Sequence, residues 1–254
     1  MERVKLVSYE KLEEENQELR TVLRKLSHEM GNALTLLGAS IFYAEMDIEK
    51  LNVKCDMTEL KNDYSYICNL FRELREYNHT EGINKKEVTV SDMMIAIENA
   101  FLRLTGNENI LLVTNRQDNV QKTRIFADKI KLRQALINVI KNSIDAVREN
   151  DDIKGKKIEI SVMIESVGGE EFFGQNYYYK NEVVHIEIKD NGKGISENHI
   201  DKIFQPMFTY GKGDGTGLGL SVVKKIVEDH GGKIKAASAL GTGTAIHIYL
   251  PILN

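Results

Sequence analysis

From Leu12 the chain repeats apolar residues on a seven-residue period: Leu12, Leu19, Leu26 and Ala33 at one site, Leu23, Met30 and Leu37 at the other. That spacing is the seam of a coiled coil or bundle, and it predicts one helix from about Ser8 to Leu51. A polar break from Asn52 to Asp56 precedes a second predicted helix over 57–78, where Leu60, Tyr64, Ile67, Phe71 and Leu74 alternate steps of four and three. Two helices with one apolar stripe each form a hairpin that cannot bury both stripes alone. The pattern therefore predicts dimerisation into a four-helix bundle. Asn16 sits on the seam, where an amide either fixes register and oligomeric state or marks a solvated end of the coil. His28 falls two residues after Leu26, away from the seam, with Glu29 beside it and Asn32 one turn on. Alone, a surface histidine is most simply surface.

The texture changes after a polar stretch that carries Gly82, dividing the chain into a coil and hairpin (1–80), a linker (81–87) and a second domain (88–254). Val88 to Val90 reads as a short strand, with Ser91 capping a helix through Phe101. Strand-like runs follow at Ile110 to Thr114 and Arg124 to Ala127, and Asp128 is placed to cap a helix over 129–149. The alternating runs Lys157 to Glu165 and Val183 to Lys189 are expected to pair. A helix from Leu218 to His230, stopped by Gly231-Gly232, leads to strands at Lys233 to Ala237 and Thr244 to Leu250. Strands and helices in this order predict an α/β sandwich, one sheet layered with helices, so the whole is multidomain.

Composition adds exclusions. With 254 residues, 42% of them hydrophobic, the chain can build one or two ordinary cores, and a net charge of −4 argues against nucleic acid as a partner. The two cysteines, Cys55 and Cys68, lack metal-ligand spacing and read as free thiols in a reducing compartment. No stretch approaches the ~18 apolar residues of a membrane span, and the N-terminus shows no apolar signal region. The expectation is a cytoplasmic protein without membrane insertion. No sensory segment precedes His28, so any signal is expected through a partner or the short coil.

Four segments concentrate the chemistry. On the helix Gln134 to Ala146, Asn138 and Asn142 stand one turn apart and offer amide oxygens to a hard cation. Asp190-Asn191-Gly192-Lys193-Gly194 follows a strand, pairing a carboxylate that can accept from an amino group with a glycine-bracketed turn. The loop from Gly211 to Gly219 alternates glycines at 211, 213, 215, 217 and 219 before a helix start, an arrangement suited to polyphosphate. Gly241-Thr242-Gly243-Thr244 precedes the last strand. Singly, each is as readily a turn or a capping accident.

Together, in this order and spacing, they closely resemble the nucleotide-binding domain of the sensor histidine kinases. That domain belongs to the GHKL (Bergerat-fold) ATPases, which include gyrase, a heat-shock chaperone and a mismatch-repair protein. Ile203-Phe204-Gln205-Pro206-Met207-Phe208 resembles the family's phenylalanine box, and with the His28 segment the likeness runs from about residue 20 to 250. The resemblance implies ATP and Mg²⁺ as cofactors, His28 as the phospho-accepting residue and Glu29 as the acid beside it that takes the ring proton. It implies Asn142 as the magnesium ligand, Asn138 as its companion and Asp190 as acceptor from the adenine amino group. Gly192 and Gly194 would shape that pocket, Gly213, Gly215, Gly217 and Gly219 would form a lid over the phosphates, and Thr244 would lie near the adenine.

The hydrolytic members of the superfamily carry a water-activating glutamate where this chain has Asn138, an amide that cannot act as a base. The site should therefore present phosphate to a nucleophile rather than hydrolyse ATP. Where the family often has a helix-kinking proline, this chain has Ala33. Where some members have a phosphate-contacting lysine it has Asp145, leaving Lys141 or Lys212 for that role. By the same resemblance Asn32 would orient water against a phospho-aspartate, giving a second, phosphatase activity. The implied function is autophosphorylation on His28 and transfer to an aspartate of a response regulator receiver domain, by a homodimer joined through the hairpin. The alternative is a non-catalytic phosphotransfer or scaffold protein. The aromatic insertion at 168–181 reads as a long hairpin tip or, second, a docking surface. His230 reads as a helix-end cap, His185 and His247 as strand residues, and Lys224-Lys225 as a solvated face.

Overall fold

The computed structural model describes residues 2–51, 55–78, 83–106, 108–118, 120–150, 155–168, 182–210 and 216–252, with side chains from Lys25 onward except 73 and 76–78. The side chains of the seam residues Leu12, Asn16, Leu19 and Leu23 are not among those described, and the break at 52–54, Lys212, Gly211, Gly213, Gly215 and most of the aromatic insertion lie outside the described residues. The chain forms two units, Met1–Glu81 and Gly82–Asn254.

In the first unit, α1 (Glu2–Lys50) packs on α2 (Thr58–Asn78). Asp56 starts α2 by accepting the Thr58 N–H at 2.9 Å. Phe71 lies over Gly31, and Tyr64 lies over Gly38 with its hydroxyl donating to the Leu34 carbonyl at 3.0 Å. Ile41 and Phe71 are buried between the helices, and Lys61 pairs with Glu45. The contact on α1 thus runs along 31, 34, 38 and 41, a stripe beside the predicted seam rather than the seam itself. Leu26, Met30 and Leu37 stay 48%, 47% and 45% exposed, and on α2 the predicted stripe splits, Tyr64 and Phe71 inward and Leu60 and Ile67 outward. α1 continues without a break through Gly31 and Ala33, with the Thr35 hydroxyl donating back to the Gly31 carbonyl at 2.9 Å.

The second unit runs β1 (Lys86–Thr89), α3 (Val90–Thr105), β2 (Ile110–Arg116), a 3₁₀ turn (Val120–Lys122), β3 (Arg124–Ala127), α4 (Lys129–Arg148), β4 (Lys156–Ser166), β5 (Glu182–Asp190), α5 (Glu197–Ile200), α6 (Gly219–Asp229), β6 (Lys233–Ala239) and β7 (Gly243–Pro251). Five strands form one sheet in the order β2-β4-β5-β7-β6, with β2 parallel to β4 and every other pair antiparallel. A second sheet that the pattern did not predict pairs β1 with β3. β1 begins at Lys86, within the stretch expected to link the domains, and the Asn84 N–H donates to Asp128 at 3.2 Å.

The predicted α/β sandwich is present. On the main sheet Ile158, Ile160 and Val162 of β4, Val184, Ile186 and Ile188 of β5, and Ile246, Ile248 and Leu250 of β7 alternate along their strands into one buried layer. Facing them, α4 buries Leu132, Leu136, Val139, Ile140 and Ile144, a helical period, while α3 and α6 pack against α4 on either side. α3 is capped by Thr89, not Ser91: its hydroxyl accepts the Asp92 N–H at 3.2 Å and donates to the Asp92 carboxylate at 2.8 Å, so the helix starts two residues earlier than predicted. Asp128 caps α4 as predicted, accepting from Ile130 and Lys131 N–H at 3.0 and 3.1 Å.

His230 does more than end α6. Its Nδ1 bonds the Ile226 carbonyl at 2.6 Å, and its Nε2 takes the Asp128 N–H at 2.9 Å, tying the end of α6 to the start of α4. Donating at Nδ1 and accepting at Nε2 is possible only for the neutral ring. Accordingly burial, its largest influence, pushes the His230 pKa below the ordinary 6.5. Among the described residues, no helix is long and apolar enough to cross a membrane.

Candidate functional site

The last residue of β5, Asp190, turns its carboxylate into the layer between sheet and helices, where it is 4% exposed. Its Oδ1 accepts two backbone N–H groups, from Gly192 at 2.9 Å and Thr244 at 3.2 Å, and the Ser143 hydroxyl of α4 also bonds the carboxylate. Burial dominates and pushes its pKa above the ordinary 3.8; the three hydrogen bonds pull the other way without overcoming it. No cation among the described residues offsets the charge. A carboxylate buried on these terms is costly to the fold, and a ligand with a polarised N–H is the partner that would offset the cost.

Backbone packed to contact builds the walls of this site. Gly194 sits at φ +71°, where a Cβ would fall 2.1 Å from the Ala239 carbonyl, and Gly243 at φ +110°, where it would fall 1.9 Å from the Asp190 carbonyl. A side chain at Gly243 would force β7 away from the end of β5 just where the two hold Asp190, and one at Gly194 would push the turn after Asp190 off the end of β6. The Lys193 N–H donates to the Ala146 carbonyl at 3.3 Å, and the Gly241 N–H to the Lys193 carbonyl at 2.8 Å, so the Asp190–Ile195 turn is pinned to α4 and to the β6–β7 turn together. Ser238 completes the joint. Its Oγ accepts the Ile195 N–H at 2.8 Å, donates to the Gly243 carbonyl at 2.8 Å and lies 2.9 Å from Thr244 Oγ1.

Of the residues singled out from sequence, Asp190, Gly192, Gly194 and Thr244 come together here. Asn138 and Asn142 are half-buried on α4; Asn142 stands directly before Ser143, which itself touches Asp190, and one turn before Ala146, while Asn138 lies a turn further back. Their neutral amides suit a hard cation that arrives already bound to phosphate oxygens, and among the described residues no cluster of His, Cys, Asp or Glu forms a separate metal cage. Gly217 and Gly219 lie at the start of α6; Leu218, the residue before that helix, supplies no side-chain cap to its first N–H groups. Gly213 and Gly215 are outside the described residues.

His28, Glu29 and Asn32 belong to the other unit, on α1, and all three are exposed. The Asn32 side chain donates from Nδ2 to His28 Nδ1 at 3.4 Å. Sequence reasoning missed Ser143, Ser238 and Gly243 as parts of the site. Gly243 had a local signal, standing between Thr242 and Thr244 in a glycine turn; the two serines had none, because only the pairing of distant strands and α4 brings them to Asp190.

A family model described as "Histidine kinase-, DNA gyrase B-, and HSP90-like ATPase" matches residues 127–254. Among curated proteins, the sensor histidine kinase ZraS of Salmonella typhimurium is 37% identical over 152 residues, covering 60% of this chain and 26% of that protein. ZraS of Klebsiella oxytoca is 30% identical over 233 residues, covering 89% of this chain and 45% of that one. The chain thus spans between about a quarter and just under half of these relatives. Among solved structures, the catalytic domain of histidine kinase ThkA is 29% identical with a TM-score of 0.51, over 66% of this chain and 95% of that domain. Full-length ShkA, at 18% identity and a TM-score of 0.67 over 91% of this chain and 46% of that one, shares the fold alone.

Proposed function

Because the chain belongs to the histidine kinase-, DNA gyrase B- and HSP90-like ATPase family, and to its histidine kinase branch, we propose that it is an ATP-dependent protein-histidine kinase. It autophosphorylates His28 and passes the phosphoryl group to an aspartate of a response regulator receiver domain. In this reading Asp190 accepts from the adenine amino group, Gly192, Gly194 and Thr244 frame the ring, and the 211–219 glycines close over the phosphates. Asn142, with Asn138, holds Mg²⁺, whose chemistry is to draw charge off the phosphate oxygens. The lone pair of a His28 ring nitrogen attacks the γ-phosphorus, the bond to the β,γ-bridging oxygen breaks, and the ring proton leaves to Glu29. With Asn138 where a base would activate water, transfer to His28 rather than hydrolysis is the outcome. Asn32 serves the reverse direction, orienting water against the phosphorylated receiver.

The helical hairpin (1–80) acts as the phosphoacceptor and dimerisation domain, joined by the 81–87 linker to the nucleotide domain (88–254). Its exposed Leu26, Met30 and Leu37 support a homodimeric four-helix bundle. The kinase works at the cytoplasmic side, where ATP and receiver domains are found. The observation that carries the reading is Asp190, a buried carboxylate with no cation beside it among the described residues, held by three donors at the joint of β5, β7 and α4. A scaffold with no nucleotide to bind would have no use for that cost.

Incubation with γ-labelled ATP and Mg²⁺ tests the proposal. Acid-labile label is expected on the wild type and none on His28→Gln; a wild type that takes no label from ATP, yet accepts phosphate from a phosphorylated receiver, would sink the kinase in favour of the relay.

A further inference from the structure

We propose that Asn32 is a positioning residue that holds His28 in a resting tautomer, so that phosphoryl acceptance starts only when the Asn32 amide lets go of the ring. The inference deepens the kinase reading and rests on it. The two side chains are one turn apart on α1, and Asn32 Nδ2–H donates to His28 Nδ1 at 3.4 Å. Among the described residues no other side chain bonds that ring. A neutral imidazole has one N–H and one lone pair in its plane. An N–H aimed at Nδ1 uses the lone pair there and requires the proton on Nε2. Neither nitrogen is then a nucleophile, since Nδ1 is capped and Nε2 is protonated.

Acceptance needs the other tautomer. The proton moves through solvent to Nδ1 and leaves Nε2, the nitrogen farther from the helix, with a free lone pair. In that state Asn32 Nδ2 has nothing to donate to. The group that fits an Nδ1–H is a carboxylate, and Glu29 is the exposed acid adjacent in sequence. Asn32 and Glu29 therefore favour opposite tautomers of one ring. In the reactive one, Nε2 forms the N–P bond, the γ-phosphorus parts from the bridging oxygen with ADP leaving, and the Nδ1 proton passes to Glu29. The product ring carries phosphorus on Nε2 and a lone pair on Nδ1, so the Asn32 N–H fits it again. Because an N-phosphorylated imidazole hydrolyses through its ring-protonated form, an amide donor on Nδ1 also protects the phosphohistidine. One amide thus slows loading and slows loss.

The test uses the full chain with ¹⁵N-labelled histidine and γ-labelled ATP. In Asn32→Ala the His28 ¹⁵N shifts, followed across a pH series and read on its neutral plateau, should move toward more Nδ1–H. The initial labelling rate at saturating ATP should rise about two- to fourfold, and the label should leave about twofold faster, as expected for loss of one exposed hydrogen bond. Asn32→Asp, which supplies an acceptor for Nδ1–H, should load at least as fast as Asn32→Ala. An unchanged tautomer ratio overturns the proposal, as does labelling that is unchanged or slower in Asn32→Ala. If the wild type takes no label at all, it is the kinase reading that fails, while the ¹⁵N shifts still decide whether Asn32 sets the tautomer.

Discussion

The two units treat their apolar side chains in opposite ways. In the second unit, Ile158, Ile160, Ile186, Ile188, Val184 and Val223 are shut off from solvent, and the layer they form between sheet and helices is finished by this chain alone. In the first, two long helices touch along one narrow stripe and leave Leu26, Met30, Leu37, Leu60 and Ile67 in the open. A closed interior stabilises itself, whereas an open stripe of this kind is stabilised by whatever covers it. The polar groups follow the same division. The second unit hides a carboxylate, two histidines and four hydroxyls and satisfies each with a partner; the first keeps His28, Glu29 and Asn32 on its surface, within reach of another molecule.

The sharpest test of this contrast is Asp190→Asn. The amide keeps an oxygen that can accept from Gly192 and Thr244 but no longer favours an amino donor as a carboxylate does, so nucleotide affinity should fall about tenfold to a hundredfold. Without nucleotide the same variant should melt higher than the wild type. The sign follows from the raised pKa: the native state holds the Asp190 proton more tightly than the unfolded chain, so its contribution to stability is present at acid pH and is lost as pH rises past 3.8 and through the native value. At neutral pH the ionised, buried group costs stability, and the amide removes that cost. Calorimetry with and without nucleotide measures both effects, and a lower melting point for the ligand-free variant would refute the account of Asp190 as a functional expense.

A pair of truncations compares the interiors directly. Ile186→Ala should destabilise the second unit by about 2–5 kcal/mol, independently of protein concentration. Leu37→Ala should cost the first unit less, about 1–2 kcal/mol, and its melting should depend on concentration because the side chain is covered only in the dimer. Equal, concentration-independent losses would dissolve the distinction. The smallest effect concerns His230. Its pKa is lowered in the native state, so the unfolded chain binds the proton first as pH falls; the stability it contributes is complete above 6.5 and is lost below it. Denaturant titrations from neutral to mildly acid pH should show the wild type losing stability over that range and His230→Gln losing less.

The second unit was largely legible in the sequence because its elements announce themselves locally. Alternation marks β4, β5 and β7 to within a residue or two, and Asp128 marks the start of α4. The misses are choices between equals or matters of distance. Thr89 and Ser91 are both hydroxyl residues before an apolar run, and the reciprocal bond with Asp92 decides for Thr89. The pairing of β1 with β3 depends on a register across α3 and β2, which no local pattern encodes. In the candidate site the residues with unusual chemistry or backbone, Asp190, Gly192 and Gly194, stand out in the chain, while Ser143 and Ser238 are ordinary until strand order delivers them. The seam of α1 was legible as a stripe but not as a destination. The heptad shows which residues are apolar, and Gly31 and Gly38 decide that the neighbouring face receives Phe71 and Tyr64.

The strand order has a consequence for how the molecule is made. β7, the last strand in the chain, lies in the interior of the sheet between β5 and β6, and β6 pairs with nothing else. During synthesis, β5 therefore waits with a bare edge, and β6 has no place in the sheet until β7 leaves the ribosome. Thr244, near the start of that strand, brings one of the N–H groups that hold Asp190. A half-made second unit can bury much of its oil but lacks one of the N–H groups that hold Asp190. On the proposed reading, competence to take up nucleotide therefore marks a second unit that has finished folding, and nucleotide present at that moment would draw β7 into place.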